Sequence, residues 1–319
     1  MKTAFMFPGQ GAQKVGMARD LAQNIPEIAQ LFEKANEIVG YDLATLCFTG
    51  PEEKLNQTEI SQPALFTASV ACLTALRLGK VAPELSTVNP DTCIGLSMGE
   101  YTALYAAGAL SFTDGLRLVQ IRGQSMQQAA KLQKGAMVSI LGLDQPNIEK
   151  LCQAVLAEPI SEDDHAEPVL VPVNFNCPGQ IVLSGTSRAC QLAAQRAEEF
   201  GAVKAILLNV IGSFHTKLMV PAAQKLHDAL KQCRFDLPHC RVIANVDAQT
   251  YQNAQQISQK LLLQLTNPVL WQQTLEILLD ERCERFVEIG PGRVLAGLLK
   301  KTARPKKLKP TIINIGGLT

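Results

Sequence analysis

The sequence predicts an α/β fold: an α/β-hydrolase-like large subdomain, residues 1–133 and 210–319, interrupted by an inserted ferredoxin-like small subdomain, residues 134–209. Three observations predict it. Gly95-Leu96-Ser97-Met98-Gly99 reads Gly-x-Ser-x-Gly between a β-prone run and the helix-prone stretch Glu100 to Ala109, the setting of a nucleophile elbow. Thr3–Phe7 and Arg285–Ile289 are short apolar runs that each end in a glycine-rich turn, as strands do at the site-bearing carboxyl edge of an open sheet. Residues 135–209 read β-α-β-β-α-β, the ferredoxin-like unit.

The elements follow in order. Thr3–Phe7 reads as a buried strand stopping at Pro8-Gly9-Gln10-Gly11-Ala12-Gln13. That loop lacks the phosphate-binding glycine patterns, which leaves a site loop or a plain turn. Ile28–Val39 is amphipathic, with Leu31, Ala35 and Ile38 on one stripe. Asp42–Phe48 reads as a short helix and Pro51–Thr58 as a polar loop or turn. Gln62–Leu78 reads as a buried helix with Pro63 in its first turn, and Val81–Pro90 connects it to the elbow. At the elbow, Gly95 and Gly99 lack Cβ atoms and admit tight packing around a strained serine. The helix that follows directs its amides at the reacting oxygen. Ser111 suits the N-cap of a helix running through Leu116, Val119, Ile121 and Arg122 to Met126 and Ala130. Its core-facing stripe is aliphatic with Arg122 beside it, so periodicity alone reads Arg122 as a solvated or surface-paired side chain.

Within the insert, Ala136–Leu141, Val169–Phe175, Gln180–Ser184 and Ala202–Asn209 read as strands, and Gln145–Leu156 and Ser187–Phe200 as helices. Glu158 to Glu167 reads as an acidic, solvated loop. The chain returns through Ile211 to Thr216, which puts His215 at a loop–helix junction ahead of Lys217–Cys233. A lone histidine is usually structural, but this one follows Ser97 in the order of hydrolase-like sites. Arg241–Val246 reads as a strand, Gln255–Leu265, Trp271–Leu279 and Val294–Lys301 as helices, and Thr311–Ile315 as an edge strand.

Composition narrows the function classes. With 319 residues, 47% hydrophobic and 18% charged, the chain can bury one large core or two unequal ones. A net charge of +1 supplies no global field for nucleic acid or a membrane surface. The nine cysteines are scattered without Cys-x-x-Cys or zinc spacing, so they read as reduced thiols of a cytoplasmic protein, with no metal implied. Met1–Phe7 is too short for a signal peptide, and no later run reaches membrane length.

In sequence order, Phe7-Pro8-Gly9-Gln10-Gly11, Gly95 through Tyr101, Arg122-Gly123, Ser213-Phe214-His215, Asn245-Val246-Asp247, Gln264 ahead of Asn267-Pro268-Val269, and Glu288 through Gly292 form one ensemble. It resembles the malonyl-CoA:acyl-carrier-protein transacylases of type II fatty acid synthesis, whose fold also serves as the acyltransferase domain of polyketide synthases. The likeness runs from Thr3 to Thr302. It implies malonyl transfer from malonyl-CoA, as substrate, to an acyl carrier protein, with no cofactor. Ser97 would be the nucleophile and His215 its base. The backbone amides of Met98 and Gln10 would hold the oxyanion, and losing one such donor elsewhere costs about 3 to 4 kcal/mol of barrier. The backbone carbonyl of Gln264 would orient His215, in keeping with no well-placed triad aspartate between Ser97 and His215; Asp144, Asp163 and Asp164 all fall in the insert. Arg122 would clamp the malonyl carboxylate with two prongs, which a lysine cannot do. Phe214 occupies the position that tends to be phenylalanine in malonyl-taking relatives and serine in methylmalonyl-specific ones. Met126 resembles a pocket-lining position, and Asn174 and Asn176 resemble cleft contacts from the small subdomain.

One departure stands out: many members carry histidine at position 96, where this chain has Leu96. The loss of a polar neighbour could alter rate or hydrolytic leakage. Three other readings compete with fatty acid synthesis: the same chemistry in trans for a polyketide synthase, an acyl hydrolase, and a non-catalytic carrier-docking protein. Arg122 and the missing triad aspartate oppose hydrolysis. Docking of an acidic carrier calls for lysines and arginines near the cleft. Arg304, Lys306, Lys307 and Lys309 read as a solvated tail or as part of that surface. The expected state is a monomer.

Overall fold

Two sheets organise the chain. The computed structural model describes residues 1–158, 167–210 and 212–318. Its strands are β1 (Thr3–Phe7), β2 (Thr92–Gly95), β3 (Gly135–Leu141), β4 (Leu170–Cys177), β5 (Gln180–Thr186), β6 (Lys204–Leu207), β7 (Arg241–Val242), β8 (Arg285–Ile289) and β9 (Thr311–Ile315). The first sheet runs β7-β2-β1-β8-β9 and every pairing in it is parallel. All five β1 residues are buried, as a strand covered on both faces requires. From β1 the sheet grows one way through β2 and the other way through β8, so the loops after β1 and β2 emerge together at the carboxyl edge. The register pairs Phe7 with Gly95, and Leu96 N–H donates to the Phe7 carbonyl at 3.1 Å.

The second sheet, β4-β5-β3-β6, is antiparallel, with the insert's two helices, Gln145–Leu156 and Ser187–Arg196, packed on one face. Strand alternation divides its residues cleanly. Val138, Ile140, Ile181 and Leu183 join Ile148, Leu151 and Ala193 in a core of their own. Met137, Ser139, Asn174, Asn176 and Val182 face the other way and line a cleft against the parallel sheet. β4 docks on the segment after Gln264: Val269 N–H donates to the Val173 carbonyl at 2.7 Å, and Phe175 N–H to the Val269 carbonyl at 3.1 Å.

Several elements differ from the sequence reading for local reasons. The helix expected from Gln62 starts at Thr58 and runs to Arg77, which places Pro63 inside it. The amide of Thr58 is satisfied at 3.3 Å by the Gln127 side chain of the neighbouring helix, a cap that no local pattern announces. Within the expected polar loop or turn, Glu52–Leu55 forms one helical turn, with Glu52 and Glu53 at its positive end. The helix Arg19–Asn24 buries only Leu21 and so leaves no periodicity to read. The strand expected over Arg241–Val246 pairs with β2 only at Arg241 and Val242, and Ile243 bridges Thr250 instead. Beyond them the chain folds back, Ala244 N–H reaching the Gln249 carbonyl at 2.9 Å. The helices expected over Ser187–Phe200 and Lys217–Cys233 each contain a tight 3₁₀ turn, at Ala197–Phe200 and Lys217–Met219. Of the acidic segment, residues 159–166, with Asp163 and Asp164, lie outside the described residues, as does Ile211.

Candidate active site

Ser97 sits on a turn that only glycine flanks permit. Its φ is 52°, in the left-handed region that a non-glycine residue adopts under constraint. A Cβ on Gly95 would stand 2.0 Å from the Gly99 carbonyl, and one on Gly99 would stand 2.2 Å from the Phe7 carbonyl oxygen. The turn is held from outside as well. Asn245 accepts from Ser97 N–H at 2.6 Å and donates to the Gly95 carbonyl at 2.7 Å, bracketing the elbow with one amide. The helix Gly99–Ala106 begins at once behind it.

His215 lies 2.9 Å from Ser97, Nε2 to Oγ, although 118 residues separate them in sequence. Its own φ is 63°. Nδ1 is 2.7 Å from the Gln264 backbone carbonyl, an oxygen that can only accept. Nδ1 therefore carries the proton, and Nε2 is left free to accept from Ser97 Oγ. Burial, then the charge of Arg122, push the imidazole down to about 4 against its hydrogen bonds to the backbone of Gln264 and Asn267. The ring is thus neutral at neutral pH. Ser213, two residues before it, donates to the Gly185 carbonyl of β5 and ties this loop to the antiparallel sheet.

Arg122 is not the surface residue that periodicity suggests: it is 1% exposed. Its helix, Phe112–Leu132, packs so closely on Thr58–Arg77 that a Cβ at Gly123 would meet the Thr58 carbonyl oxygen at 2.7 Å. Nη1 donates to Gln62 Oε1 at 2.7 Å, and Nη2 to Gln264 Oε1 and to Ser97 Oγ at 3.0 Å each. Nε is buried without a partner. No carboxylate forms an ion pair with it among the described residues. A buried guanidinium whose direct partners are two side-chain amides and a hydroxyl, with no carboxylate in contact, is suited to take an anion.

These groups open on a cavity of about 500 Å³ between the two sheets. Gln10, Ser97, Arg122, Met126, Phe214 and His215 line one wall, and Asn174 and Asn176 the other. Leu96 also borders it and packs against the core beneath β2. Met98 is fully buried, and its amide, like that of Gln10, makes no hydrogen bond among the described residues. Of the site residues expected from sequence, all but Met98 and Gln264 line this cavity; Met98 follows Ser97 in the chain, and Gln264 contacts Ser97, Arg122 and His215. The basic cluster Arg304, Lys306, Lys307 and Lys309 is not part of this lining, and Lys306 pairs with Asp280 at 2.5 Å.

The residues 4–316 match the acyl transferase domain family model. The chain belongs to the acyltransferase family. Within it, the chain is 41% identical over 306 residues to the malonyl CoA-acyl carrier protein transacylase of Bacillus subtilis, covering 96% of this chain and 92% of that protein. The Escherichia coli K12 transacylase of the same name is 41% identical over 298 residues, covering 93% and 92%. Among solved structures, the malonyl CoA-acyl carrier protein transacylase of Coxiella burnetii superposes with a TM-score of 0.90 at 36% identity, covering 100% of this chain and 95% of that one. A malonyl-transacylase solved with its type II polyketide acyl-carrier protein gives 0.89 at 38% identity, covering 99% and 96%. The mixed α/β architecture of this acyltransferase is thus that of its relatives.

Four residues around the site carried no role in the sequence reading. Gln62 holds Arg122 and also donates to Met126 Sδ at 3.3 Å. Asn245 was visible only as part of a motif. Glu100 and Tyr251 form a buried pair beneath Gln264. Gln62 had a faint signal, a glutamine inside a long apolar helix; Tyr251 had none.

Proposed function

We propose that this acyltransferase moves a malonyl group from malonyl-CoA to the phosphopantetheine thiol of an acyl carrier protein through a Ser97 ester, supplying extender units for fatty acid synthesis. The observation that carries the reading is Arg122: a buried guanidinium with no carboxylate in contact, 3.0 Å from the nucleophile. Its Nε and Nη2 share one edge of the planar fork; Nε is without a partner and Nη2 reaches Ser97, so that edge suits a carboxylate taken with two hydrogen bonds. Malonyl supplies such a carboxylate and acetyl does not.

Ser97 Oγ attacks the thioester carbonyl as His215 Nε2 takes its proton. The amides of Met98 and Gln10 hold the oxyanion. The intermediate collapses, the CoA sulfur leaves with the proton from His215, and the malonyl ester remains on Ser97. The carrier thiol then gives its proton to His215 and attacks the ester, and Ser97 recovers a proton as it leaves. The Gln264 carbonyl keeps His215 in the required tautomer throughout. No step calls for a cofactor. Met126 and Phe214 bound the acyl end of the cavity, with Phe214 narrowing the room for an α-branch, and Asn174 and Asn176 meet the pantetheine arm. We read residues 134–209 as a separate subdomain closing over residues 1–133 and 210–319. We also read the chain as a monomer, since all of these groups come from one chain, and as cytoplasmic, since its nine cysteines, none of them in a disulfide, suit a reducing compartment.

Delivery to a polyketide carrier is the second reading, favoured by the likeness to the transacylase solved with such a carrier. The test is product analysis with malonyl-CoA, with and without each phosphopantetheinylated carrier. The account expects malonyl-carrier to form and free malonate to stay minor. Free malonate released at the same rate without any carrier would make the protein a hydrolase.

A further inference from the structure

Glu100 takes no part in the steps above, yet it is fully buried and hydrogen-bonded to Asn245 and Gln264, two residues that position them. It lies in the first turn of the helix behind Ser97. One carboxylate oxygen accepts from Tyr251 O–H. The other accepts from Asn245 N–H at 3.1 Å and from Gln264 Nε2 at 2.6 Å. Asn245 in turn brackets Ser97, while Gln264 offers its side-chain oxygen to Arg122 and its backbone oxygen to His215.

The orientation of the Gln264 amide is what matters. Its NH₂ faces two acceptors, Glu100 Oε2 and the Ser97 carbonyl at 3.0 Å, which leaves Oε1 for the guanidinium. Turned over, the amide would present N–H groups to Arg122 and an oxygen to a carboxylate, a mismatch on both sides. We propose that Glu100 is a positioning residue for malonyl transfer: its ionised carboxylate sets the Gln264 amide and the place of Asn245, and so holds Arg122 and Ser97 in reacting geometry. This rests on the malonyl-transfer reading.

Protonation would turn one acceptor into a donor facing donors. Burial pushes the Glu100 carboxyl up to about 7, against the hydrogen bonds from Tyr251, Gln264 and Asn245 and the charge of Arg122. The other titratable groups facing it are Tyr251 after β7, Tyr101 on its own helix and Arg122 on Phe112–Leu132. Both phenols are driven upward and stay neutral, and the guanidinium stays charged. Of these groups, Glu100 is the one that changes charge near neutrality.

The test is the single-turnover rate of malonyl loading from about pH 5.5 to 8.5, followed by intact mass, for the wild type, Glu100→Gln and Tyr251→Phe. The wild-type rate should fall as pH drops through about 7. Tyr251→Phe removes a donor that stabilises the carboxylate, so its fall should move to higher pH with the alkaline plateau kept. Glu100→Gln should load about tenfold more slowly, the factor of one lost buried hydrogen bond, without that pH dependence and with a reduced preference for malonyl over acetyl. If Glu100→Gln fails to fold, the Tyr251→Phe profile decides alone. A Glu100→Gln variant with wild-type rate and profile, or a Tyr251→Phe profile that does not move, overturns the inference. A wild type that takes up no malonyl at any pH overturns the malonyl reading and this inference together.

Discussion

The two walls of the cavity are built on different principles. The wall from the parallel sheet is a closed polar network: Ser97, Asn245, Glu100, Gln264, Arg122 and His215 hold one another through hydrogen bonds of 2.6 to 3.1 Å. The wall from the antiparallel sheet is one face of an alternating pattern whose other face is already committed to a core. Its asparagines are less constrained: Asn176 Oδ1 is buried without a partner, and Asn174 is half-buried. A network in which each group fixes the next suits bond-making, where small displacements are costly. A face of independent side chains suits recognition. Mutations on the first wall should therefore change the chemical step, and those on the second should change binding.

The sharpest break is at the nucleophile: Ser97→Ala should abolish the covalent malonyl adduct, read by mass. His215→Gln should slow loading by about 10² to 10⁴, the span of a general base, in a stopped-flow or quench measurement. Arg122→Ala should lower malonyl loading about a hundredfold or more, since two charge-assisted hydrogen bonds go, while acetyl loading holds or rises. Asn176→Ala should raise KM for malonyl-CoA a few-fold with kcat unchanged. Because its oxygen is already unpartnered, its melting temperature should stay within a few degrees of wild type. An Asn176→Ala variant that lost kcat as heavily as Arg122→Ala would erase the distinction between the walls.

The same contrast explains what the sequence made legible. Ser97 was readable because its turn demands a local pattern, glycines at 95 and 99 between a strand and a helix. The antiparallel unit was readable because alternation and turn residues are local too. Arg122 was misread by periodicity, because its burial depends on how closely Gly123 lets a second helix approach. Only the family resemblance marked it. Glu100, Asn245, Tyr251 and Gln62 went unassigned because their partners lie 60 to 164 residues away. A glutamate in the first turn of a helix looks like ordinary dipole compensation until tertiary structure seals it from water.

The central claim is that Arg122, buried beside Ser97 with no carboxylate in contact, selects a carboxylated acyl group. The most direct measurement is intact mass after brief exposure to malonyl-CoA or acetyl-CoA, comparing wild type, Ser97→Ala and Arg122→Ala. The account predicts a malonyl adduct on wild type, none on Ser97→Ala, and on Arg122→Ala a loss of malonyl with acetyl loading kept or gained. Equal malonyl loading by wild type and Arg122→Ala would contradict it.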